Sequence, residues 1–278
     1  MNYSSDFFSV DAAKCVRCGA CVRDCAFKAL KVDAENRPVM AHPDRCMRCQ
    51  HCLAICPTGA VSVDGQDPAQ AVKTEGLDLP TPAVVENWMR TRRSTRRYAD
   101  EDVAPALLKR ILSVLGNVHT GCNARGLTFT CFPDRASMDR LRKAFIRTLE
   151  EHRDGSKLLP RWIAAPAIRL RRGEEDMFFR GATGMLVVSS DETTPGVATP
   201  CEDVAIACSQ FELLAQAHGL GTCWCGFLKL VEGVVPELIE NCAGLRRTTP
   251  FYAILFGKPA VSYARGVLRE SYAKVVYR

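Results

Sequence analysis

The sequence predicts an α+β protein in which a small cysteine-rich domain precedes a larger domain of mixed helices and strands. Three observations lead to this prediction. Eight of the 15 cysteines fall within residues 15–56. A polar stretch containing several prolines follows them, and beyond it helical patterns alternate with β-rich runs. We therefore expect a first domain over residues 1–66, a linker over 67–83 and a second domain over 84–278.

The overall composition is that of a globular protein. Of the 278 residues, 47% are hydrophobic and 24% are charged, and the net charge of +6 is too modest to indicate a nucleic-acid-binding surface. No stretch approaches the roughly 18 apolar residues of a membrane span, and the opening MNYSSDFFSV lacks the features of a signal peptide. We expect a cytoplasmic location, where cysteines act as ligands or buried thiols rather than forming disulfides.

The cysteines of the first domain form two runs of the same spacing, C-x2-C-x2-C-x3-C. The first run is Cys15, Cys18, Cys21 and Cys25, and the second is Cys46, Cys49, Cys52 and Cys56. Three thiolates this close can hold three corners of a [4Fe–4S] cubane, while the fourth ligand comes from elsewhere. A zinc site is the alternative, but it usually takes two C-x2-C pairs.

An offset of 31 residues superposes all eight of these cysteines. It also superposes Ala29 on Ala60 and Val32 on Val63. The repeat predicts a pseudo-twofold domain in which two clusters replace most of a hydrophobic core. Residues 5–64 resemble the two-cluster bacterial ferredoxins, in which the fourth cysteine of each run serves the other cluster. Cys56 would then join the first run and Cys25 the second. Ala26 departs from the proline usual there, and its N–H would raise the potential of a nearby cluster.

The second domain is predicted from periodicity and from its strand-forming runs. Residues 83–92 form an amphipathic helix that ends in an arginine run. Asp100 or Asp102 would cap a second helix, which stops at Gly116. A long apolar helix follows over 203–221 and closes on a glycine. Strand candidates occupy residues 127–132, 184–190 and 248–257.

Four motifs of this domain occur in a characteristic order. They are RRSTRRY after the first helix, TGCNARG after the second, GLGTCWCG after the long apolar helix, and the basic tail YARGVLRESYAKVVYR. In this order they resemble the nitroreductase family of FMN enzymes. The resemblance covers the whole second domain and implies a nitroreductase-like FMN domain after the ferredoxin-like 2[4Fe–4S] domain.

The resemblance also implies which residues bind FMN. Its phosphate carries nearly two negative charges, and the arginine fork can engage two of its oxygens at once. Residues 90–98 contain five arginines. The expected flavin contacts are Arg92 and Ser94 at the phosphate, Arg93 beside them, Arg96 toward the N1/O2 edge of the ring, and Arg269 as a second phosphate ligand. Arg265 is a weaker candidate in the tail. A solvated basic surface is the alternative for this run.

Two further motifs supply the remaining candidates. Asn123 matches an asparagine near the flavin of relatives, although an ordinary turn residue is the alternative. Arg125 stands where glutamine is usual, which leaves the contact to the pyrimidine edge open. Cys225 and Gly226 match the positions whose backbone N–H groups lie beside flavin N5. Only backbone is needed there, and no catalytic side chain is assigned.

The combination of cofactors implies an oxidoreductase. Iron–sulfur clusters pass single electrons, whereas a flavin exchanges electron pairs. We expect electrons to pass between the two clusters and FMN, which reduces a small organic acceptor of nitroaromatic or quinone type. Family members typically form dimers, so a homodimer is expected. The electron donor would be an external ferredoxin or NAD(P)H, although GLGTCWCG lacks the context of a nicotinamide-binding fingerprint.

Two alternative functions remain open from the sequence. The chain could be an electron-transfer or redox-sensing iron–sulfur flavoprotein that meets no organic substrate. The arginines could instead bind nucleic acid. Aromatic residues are sparse around the arginine run and no recognition helix is evident, so we expect neither a nucleic-acid partner nor a membrane.

Overall fold

The computed structural model describes residues 6–155, 158–269 and 273–278. The chain divides into two compact units, Met1–Leu79 and Pro80–Arg278, each of which has its own core. The division falls inside the stretch predicted as a linker. Within that stretch a short 3-10 helix spans Pro68–Gln70, capped by the Asp67 carboxylate.

Two small antiparallel sheets form the N-terminal unit. Strand β1 (Phe8–Val10) pairs with β4 (Val61–Val63), and β2 (Leu30–Val32) pairs with β3 (Pro38–Met40). Helix α1 (Ala20–Asp24) follows the first two cysteines and contains the third, a 3-10 turn spans Pro43–Arg45, and helix α2 (His51–Ala54) follows. Every element is short because the cysteine loops occupy much of the sequence.

The 31-residue repeat is visible in the backbone. Strands β2 and β4 coincide under the offset, as do the starts of α1 and α2. Left-handed backbone angles recur at equivalent positions, with φ of 60° and 48° at Arg17 and Arg48, 66° and 61° at Gly19 and Gln50, and 53° and 61° at Lys28 and Gly59. The two cysteine runs therefore form matched loops, which confirms the predicted internal symmetry.

The apolar core of the N-terminal unit is small. Cys21, Leu30, Val61 and Val63 are buried in it. The partly buried residues packed against them include Cys25, Cys52 and Cys56. Cysteine side chains thus supply a large share of the interior, as the sequence predicts for a domain built around clusters.

A four-stranded antiparallel sheet organises the C-terminal unit. Its strand order is β5-β6-β8-β7, with β5 at Leu127–Phe132, β6 at Gly184–Ser190, β7 at Gly221–Trp224 and β8 at Phe251–Gly257. Strand β6 is buried along its whole length because both faces of the sheet are covered.

Helices pack on both faces of this sheet. One face, which includes Met185 and Val187, packs against α5 (Arg135–Asp154), α6 (Arg161–Arg171), α8 (Gly226–Glu232) and α9 (Leu238–Ala243). The other, which includes Leu186 and Val188, packs against α4 (Pro105–Val114) and α7 (Pro200–Ala217). The alternation along β6 therefore divides the core in two. These features confirm the α+β class.

Helix α3 (Pro82–Thr91) begins the C-terminal unit. The Thr81 hydroxyl caps it by accepting the Val84 N–H, and the Trp88 indole donates to Gln216 Oε1 of α7 at 2.9 Å. Short 3-10 helices span Leu115–Asn117 and Gly121–Asn123. Among the helices of the described residues, none is both long enough and apolar enough to cross a membrane.

The structure corrects several predicted boundaries. Helix α4 starts at Pro105 without a side-chain cap, and the Asp102 carboxylate instead accepts the Arg135 N–H at the start of α5, 3.0 Å away. Helix α7 ends at Ala217 rather than 221, since Gly219 takes φ +76° and the chain then enters β7. Strands β5 and β6 match their predicted ranges, and β8 starts three residues later than predicted.

Candidate cluster and flavin sites

Four cysteines from both runs line one cavity of the N-terminal unit. They are Cys15, Cys18 and Cys21 of the first run and Cys56 of the second. Arg17 and Thr58 also line this cavity. The fourth thiol of the second run therefore lies with the first three of the first run, as expected from ferredoxin-type spacing.

The remaining four cysteines also interact with one another. Burial raises the pKa of the Cys46 thiol, and the neighbouring thiols of Cys49 and Cys25 raise it further. Burial likewise raises the pKa of Cys52 to about 11, with Cys46 and Cys49 as neighbours. Four ionised thiols this close would repel one another in the absence of metal. Bound to a cationic iron core, all four can be ionised together.

Backbone N–H groups point at the fourth sulfur of each run. The Ala29 N–H donates to Cys25 Sγ at 3.3 Å, and its repeat partner Ala60 donates to Cys56 Sγ at 3.2 Å. At Cys56, burial raises the pKa, but donors from Ala60 and Thr58 outweigh it and leave the pKa below its ordinary value. Sulfurs that accept N–H donors are suited to cluster ligation, so the eight cysteines fit two [4Fe–4S] clusters.

The arginine run packs along the edge strand of the larger sheet. The Thr95 N–H donates to the Thr222 carbonyl of β7 at 2.7 Å. At Gly221 an added Cβ would lie 2.6 Å from Thr95 side-chain atoms, so the Gly221 backbone lies too close to the Thr95 side chain for a larger residue. The segment 90–98 is thereby fixed beside the GLGTCWCG motif.

The segment after β8 returns to the same arginine run. Ala260 N–H donates to the Arg97 carbonyl at 3.0 Å, and the Tyr263 hydroxyl donates to the Ser94 carbonyl at 3.2 Å. A Cβ at Gly266 would lie 2.7 Å from the Arg90 carbonyl oxygen. Arg265 and Arg269 are exposed on either side of this contact, while residues 270–272 of the tail motif lie outside the described residues.

Arg92 is held by a buried carboxylate. Its Nη1 lies 3.5 Å from Glu212 Oε1 on α7, and Glu212 is only 7% exposed. The same carboxylate accepts the Thr222 hydroxyl at 3.0 Å and the Trp224 indole N–H at 3.2 Å. The guanidinium is therefore oriented by a partner that itself cannot move freely.

Arg93 has one donor that no described residue satisfies. Its Nη2 donates to the Arg90 carbonyl at 2.5 Å, whereas its Nε is buried without a hydrogen-bond partner among the described residues. A buried donor of this kind is costly unless an acceptor completes it. A phosphate or ring oxygen would be such an acceptor, so Arg93 fits an anionic ligand.

A second arginine joins Arg96 near β7. Burial raises the pKa of the Cys223 thiol, and the positive charges of Arg96 and Arg180 oppose this, as does a hydrogen bond to the Ser94 side chain. Arg180 takes a left-handed backbone with φ of 56°, and its guanidinium lies 5.8 Å from the Phe227 ring centroid. Arg180 is not among the residues predicted from the sequence, although it lies in a charged segment between α6 and β6.

Cys225 and Gly226 mark the start of helix α8. The Cys225 thiol is buried and contacts the Phe178 carbonyl oxygen at 3.5 Å, and burial raises its pKa to about 12. Gly226 is the first helical residue, where backbone N–H groups lack partners within the helix. The Cys225 N–H already donates to the Ala253 carbonyl of β8 at 2.8 Å, so the backbone of Gly226 is what this place can offer a ligand.

Asn123 lies on a separate, conformationally unusual loop. Cys122, Asn123 and Arg125 all have positive φ, between 52° and 55°. Asp203 of α7 anchors this loop by accepting the Gly121 N–H at 2.8 Å. Arg125 is exposed, and its N–H donates to the Thr120 hydroxyl at 3.0 Å. Such angles cost energy in non-glycine residues, which is often a mark of functional loops.

Comparison with known proteins identifies both units. The sequence model of the Nitroreductase family matches residues 89–258. That of the 4Fe-4S dicluster domain matches residues 14–60. A search of curated proteins gives no match to this sequence.

Solved structures support the fold of the C-terminal unit. An FMN-bound nitroreductase from Bacteroides fragilis is 18% identical, with a TM-score of 0.51, and covers 71% of this chain and 100% of its own. A protein described as a putative NADH dehydrogenase/NAD(P)H nitroreductase from Bacteroides thetaiotaomicron is 21% identical, with a TM-score of 0.50, and covers 71% and 98%. At such identities the likeness concerns the fold alone. Because its family match spans more than half of the sequence, the chain belongs to the Nitroreductase family, and a 4Fe-4S dicluster domain precedes its family domain.

Proposed function

We propose that the chain is an FMN-dependent oxidoreductase that passes electrons between two [4Fe–4S] clusters and FMN and reduces a small organic acceptor. The observation that carries the proposal is the meeting of the arginine run, the edge strand β7 and the returning segment 259–269 in one place. Donors from three separate stretches of chain then surround a single anionic cofactor. The named relatives with bound FMN or an NAD(P)H description agree with this reaction class.

The cluster ligands follow from the shared cavity. We assign Cys15, Cys18, Cys21 and Cys56 to one centre, called cluster A, and Cys46, Cys49, Cys52 and Cys25 to the other, called cluster B. The cavity lined by the first four and the mutual influence of Cys46, Cys49 and Cys25 support this grouping. The exchange of fourth cysteines keeps the two centres close, which favours electron transfer between them.

Each flavin-binding residue has a stated role in this proposal. Arg92 and Ser94 bind the phosphate with Arg269, and Arg93 donates from its unsatisfied Nε. Arg96 stabilises negative charge at the N1/O2 edge of the ring. The backbone of Gly226 lies beside N5, with Cys225 adjacent to it, and Asn123 approaches the pyrimidine edge.

The residues act mainly by orientation and charge. When bound, FMN supplies a ring that takes up two electrons and releases them singly or as a hydride. Glu212 fixes the direction of the Arg92 fork, and the close approach of Gly221 to Thr95 fixes the distance between the phosphate-binding segment and β7. The acceptor would lie over the ring, and nitroaromatic or quinone-like compounds are the class we propose.

We also propose the partners of this reaction. The chain forms a homodimer, as the family resemblance implies, and acts in the cytoplasm. An external ferredoxin or NAD(P)H supplies the electrons. No nucleic acid takes part, because the arginine run is committed to β7, Glu212 and the tail.

The first experiment is anaerobic purification followed by cofactor and reduction assays. We expect stoichiometric FMN and the iron of two [4Fe–4S] clusters in each chain. NADH, NADPH and reduced ferredoxin are then added in turn while the flavin absorbance is followed. Loss of flavin absorbance with a nicotinamide would show that electrons enter at FMN. Loss of flavin absorbance with reduced ferredoxin alone would show that electrons enter at the clusters. A protein without FMN would contradict the proposal.

A further inference from the structure

Equivalent arginines of the two cysteine loops have different surroundings. Arg17 and Arg48 are related by the 31-residue repeat, each lying between the first two cysteines of its run. Arg48 forms an ion pair with Asp64, at 2.9 Å between Nη1 and Oδ1, and its guanidinium lies 4.3 Å from the Phe7 ring centroid. Arg17 lines the cavity of cluster A, and no carboxylate of the described residues pairs with it. Its positive charge is therefore uncompensated.

The next pair of equivalent positions shows the same asymmetry. Arg23, near the end of α1, donates from Nη1 to the Cys18 carbonyl at 2.8 Å, and its repeat partner is the neutral Ala54. Asp24 comes directly before Cys25, a ligand of cluster B, and lies 3.3 Å from His51. Its repeat partner before Cys56 is Ile55. Arg23 thus adds positive charge beside a ligand of cluster A, whereas Asp24 adds negative charge beside a ligand of cluster B.

Side-chain donors to sulfur differ in the same direction, whereas the backbone N–H of Ala26 beside Cys25, which its repeat partner Pro57 lacks, favours cluster B. The Thr58 hydroxyl lies 3.7 Å from Cys56 Sγ, and Thr58 also lines the cavity of cluster A. The equivalent position beside Cys25 is Phe27, which has no donor side chain. The N–H donors of Ala29 and Ala60 are matched and cancel in the comparison. Donors to ligand sulfur stabilise the reduced cluster and raise its potential.

Some positively charged side chains also lie near the ligands of cluster B, but carboxylates lie beside them in the sequence. Arg45 precedes Cys46 and Lys28 follows Cys25, and both are exposed. The same stretches carry Asp24 and Asp44. Beside cluster A, Lys14 is already paired with Asp11 at 3.3 Å. The balance of charge therefore remains more positive around cluster A.

From this asymmetry we infer that cluster A has the higher reduction potential and receives the first electron. The inference rests on the ligand grouping proposed above. One electron from a one-electron donor reduces cluster A from the 2+ to the 1+ state, and a second electron reduces cluster B. No bond or proton changes in either step. Positive charge and sulfur donors both stabilise the reduced state.

The test compares matched variants of the anaerobically purified full chain. Reduction is titrated with dithionite and redox mediators, and each step is followed by electron paramagnetic resonance. We expect two separate steps in the unmodified protein. Arg17→Gln should lower the upper step alone, and Arg48→Gln should lower the lower step alone. Thr58→Val, which removes the hydroxyl at nearly constant volume, should shift the same step as Arg17→Gln.

Distinct outcomes separate this inference from the proposed function. A shift of the lower step by Arg17→Gln, or no shift of either step with both Arg17→Gln and Thr58→Val, would overturn the order of potentials. Iron below the content of two clusters in the unmodified protein would instead contradict the ligand proposal. Iron analysis of every variant excludes incomplete cluster assembly as the cause of a shift.

Discussion

At the scale of single residues, the proposed phosphate ligand Arg92 is held in place by contacts within the protein itself. A carboxylate that only neutralised Arg92 would weaken the attraction of Arg92 for an anion. Because the Glu212 carboxylate also accepts from Thr222 and Trp224, it is fixed by β7 and cannot follow the guanidinium into solvent. Arg92 thereby loses less freedom on binding than an unrestrained arginine would.

Removal of Arg92 should weaken FMN binding. Charge-assisted hydrogen bonds contribute about 1.5–3 kcal/mol, so we expect Arg92→Ala to raise the FMN dissociation constant about 10- to 100-fold. Fluorescence titration of reconstituted protein with FMN measures this constant. Arg90→Ala is the matched control, because Arg90 is exposed and its only carboxylate partner among the described residues is Glu86, at 3.9 Å. Equal losses in both variants would show a general charge effect rather than a phosphate contact.

The sequence predicts the cluster cysteines well but not the partner of Arg92. The cysteines of each run are close together in the sequence, and their spacing alone predicts that they are cluster ligands. Arg92 and Glu212 come from distant parts of the chain, and nothing local to either one indicates the other. Arg180 is missed for the same reason, since its place beside Cys223 depends on how two loops fold together.

At the scale of elements, the predicted strands differ in how strongly their sequences specify them. Strands β5 and β6 are rich in β-branched and aromatic residues, and their ranges agree with the prediction. Strand β7, which is not among the strands predicted from the sequence, is short and begins with glycine, so its pairing with β8 depends on tertiary contacts. Asp102 illustrates the same limit, because its carboxylate accepts the Arg135 N–H at the start of α5 rather than capping the nearer helix α4.

A methyl group at Gly221 should separate β7 from the arginine run. The added Cβ would lie 2.6 Å from Thr95, and relieving such overpacking typically costs about 1–3 kcal/mol of unfolding free energy. We expect Gly221→Ala to lose that much stability in urea and also to bind FMN more weakly. The tryptophans all lie in the C-terminal unit, so their fluorescence reports its unfolding. Gly116→Ala is the control, since a Cβ there meets nothing within 4 Å.

The N-terminal cap of α5 should make stability depend on acid pH. The Ser137 N–H bonded to the Asp134 carboxylate holds the pKa of that carboxyl below its ordinary value of 3.8. The ionised form is therefore favoured in the folded state, and its contribution is present above pH 3.8 and lost as the pH falls through the folded pKa. Asp134→Ala should cost about 1 kcal/mol near pH 7, and less at lower pH.

Asparagine provides the matched control for this cap. Asp134→Asn keeps an acceptor oxygen but cannot ionise, so it should retain most of the stability and lose the pH dependence. Urea unfolding followed by tryptophan fluorescence between pH 3 and pH 7 gives both quantities. A constant difference between Asp134→Ala and the unmodified protein down to pH 3 would contradict this explanation.

At the scale of the whole molecule, the two units differ in what stabilises them. The C-terminal unit has two extensive apolar clusters on either side of its sheet. In the described part of the N-terminal unit, the one apolar cluster contains four buried residues, and one of them is a cysteine. A domain with so small a core generally needs disulfides or metal centres to remain folded.

Loss of the clusters should therefore unfold the N-terminal unit first. We expect iron chelation under reducing conditions to speed proteolysis within residues 6–79, while fragments from Pro80–Arg278 appear much more slowly. Mass spectrometry of a limited digest distinguishes the two sets of fragments. The cluster-loaded protein is the control, and equal protection of residues 6–79 with and without iron would refute the prediction.

The return of segment 259–269 to the arginine run has a consequence for synthesis of the protein. Tyr263 and Ser94 lie 169 positions apart, yet their contact completes one wall of the proposed flavin site. A ribosome making the chain exposes the arginine run early and the closing segment late. In the proposed sites, all eight cluster cysteines emerge before the arginine run, whereas the flavin site is complete only after residues beyond 259 have emerged. The order of translation would then favour loading of the metal centres first and of the flavin last.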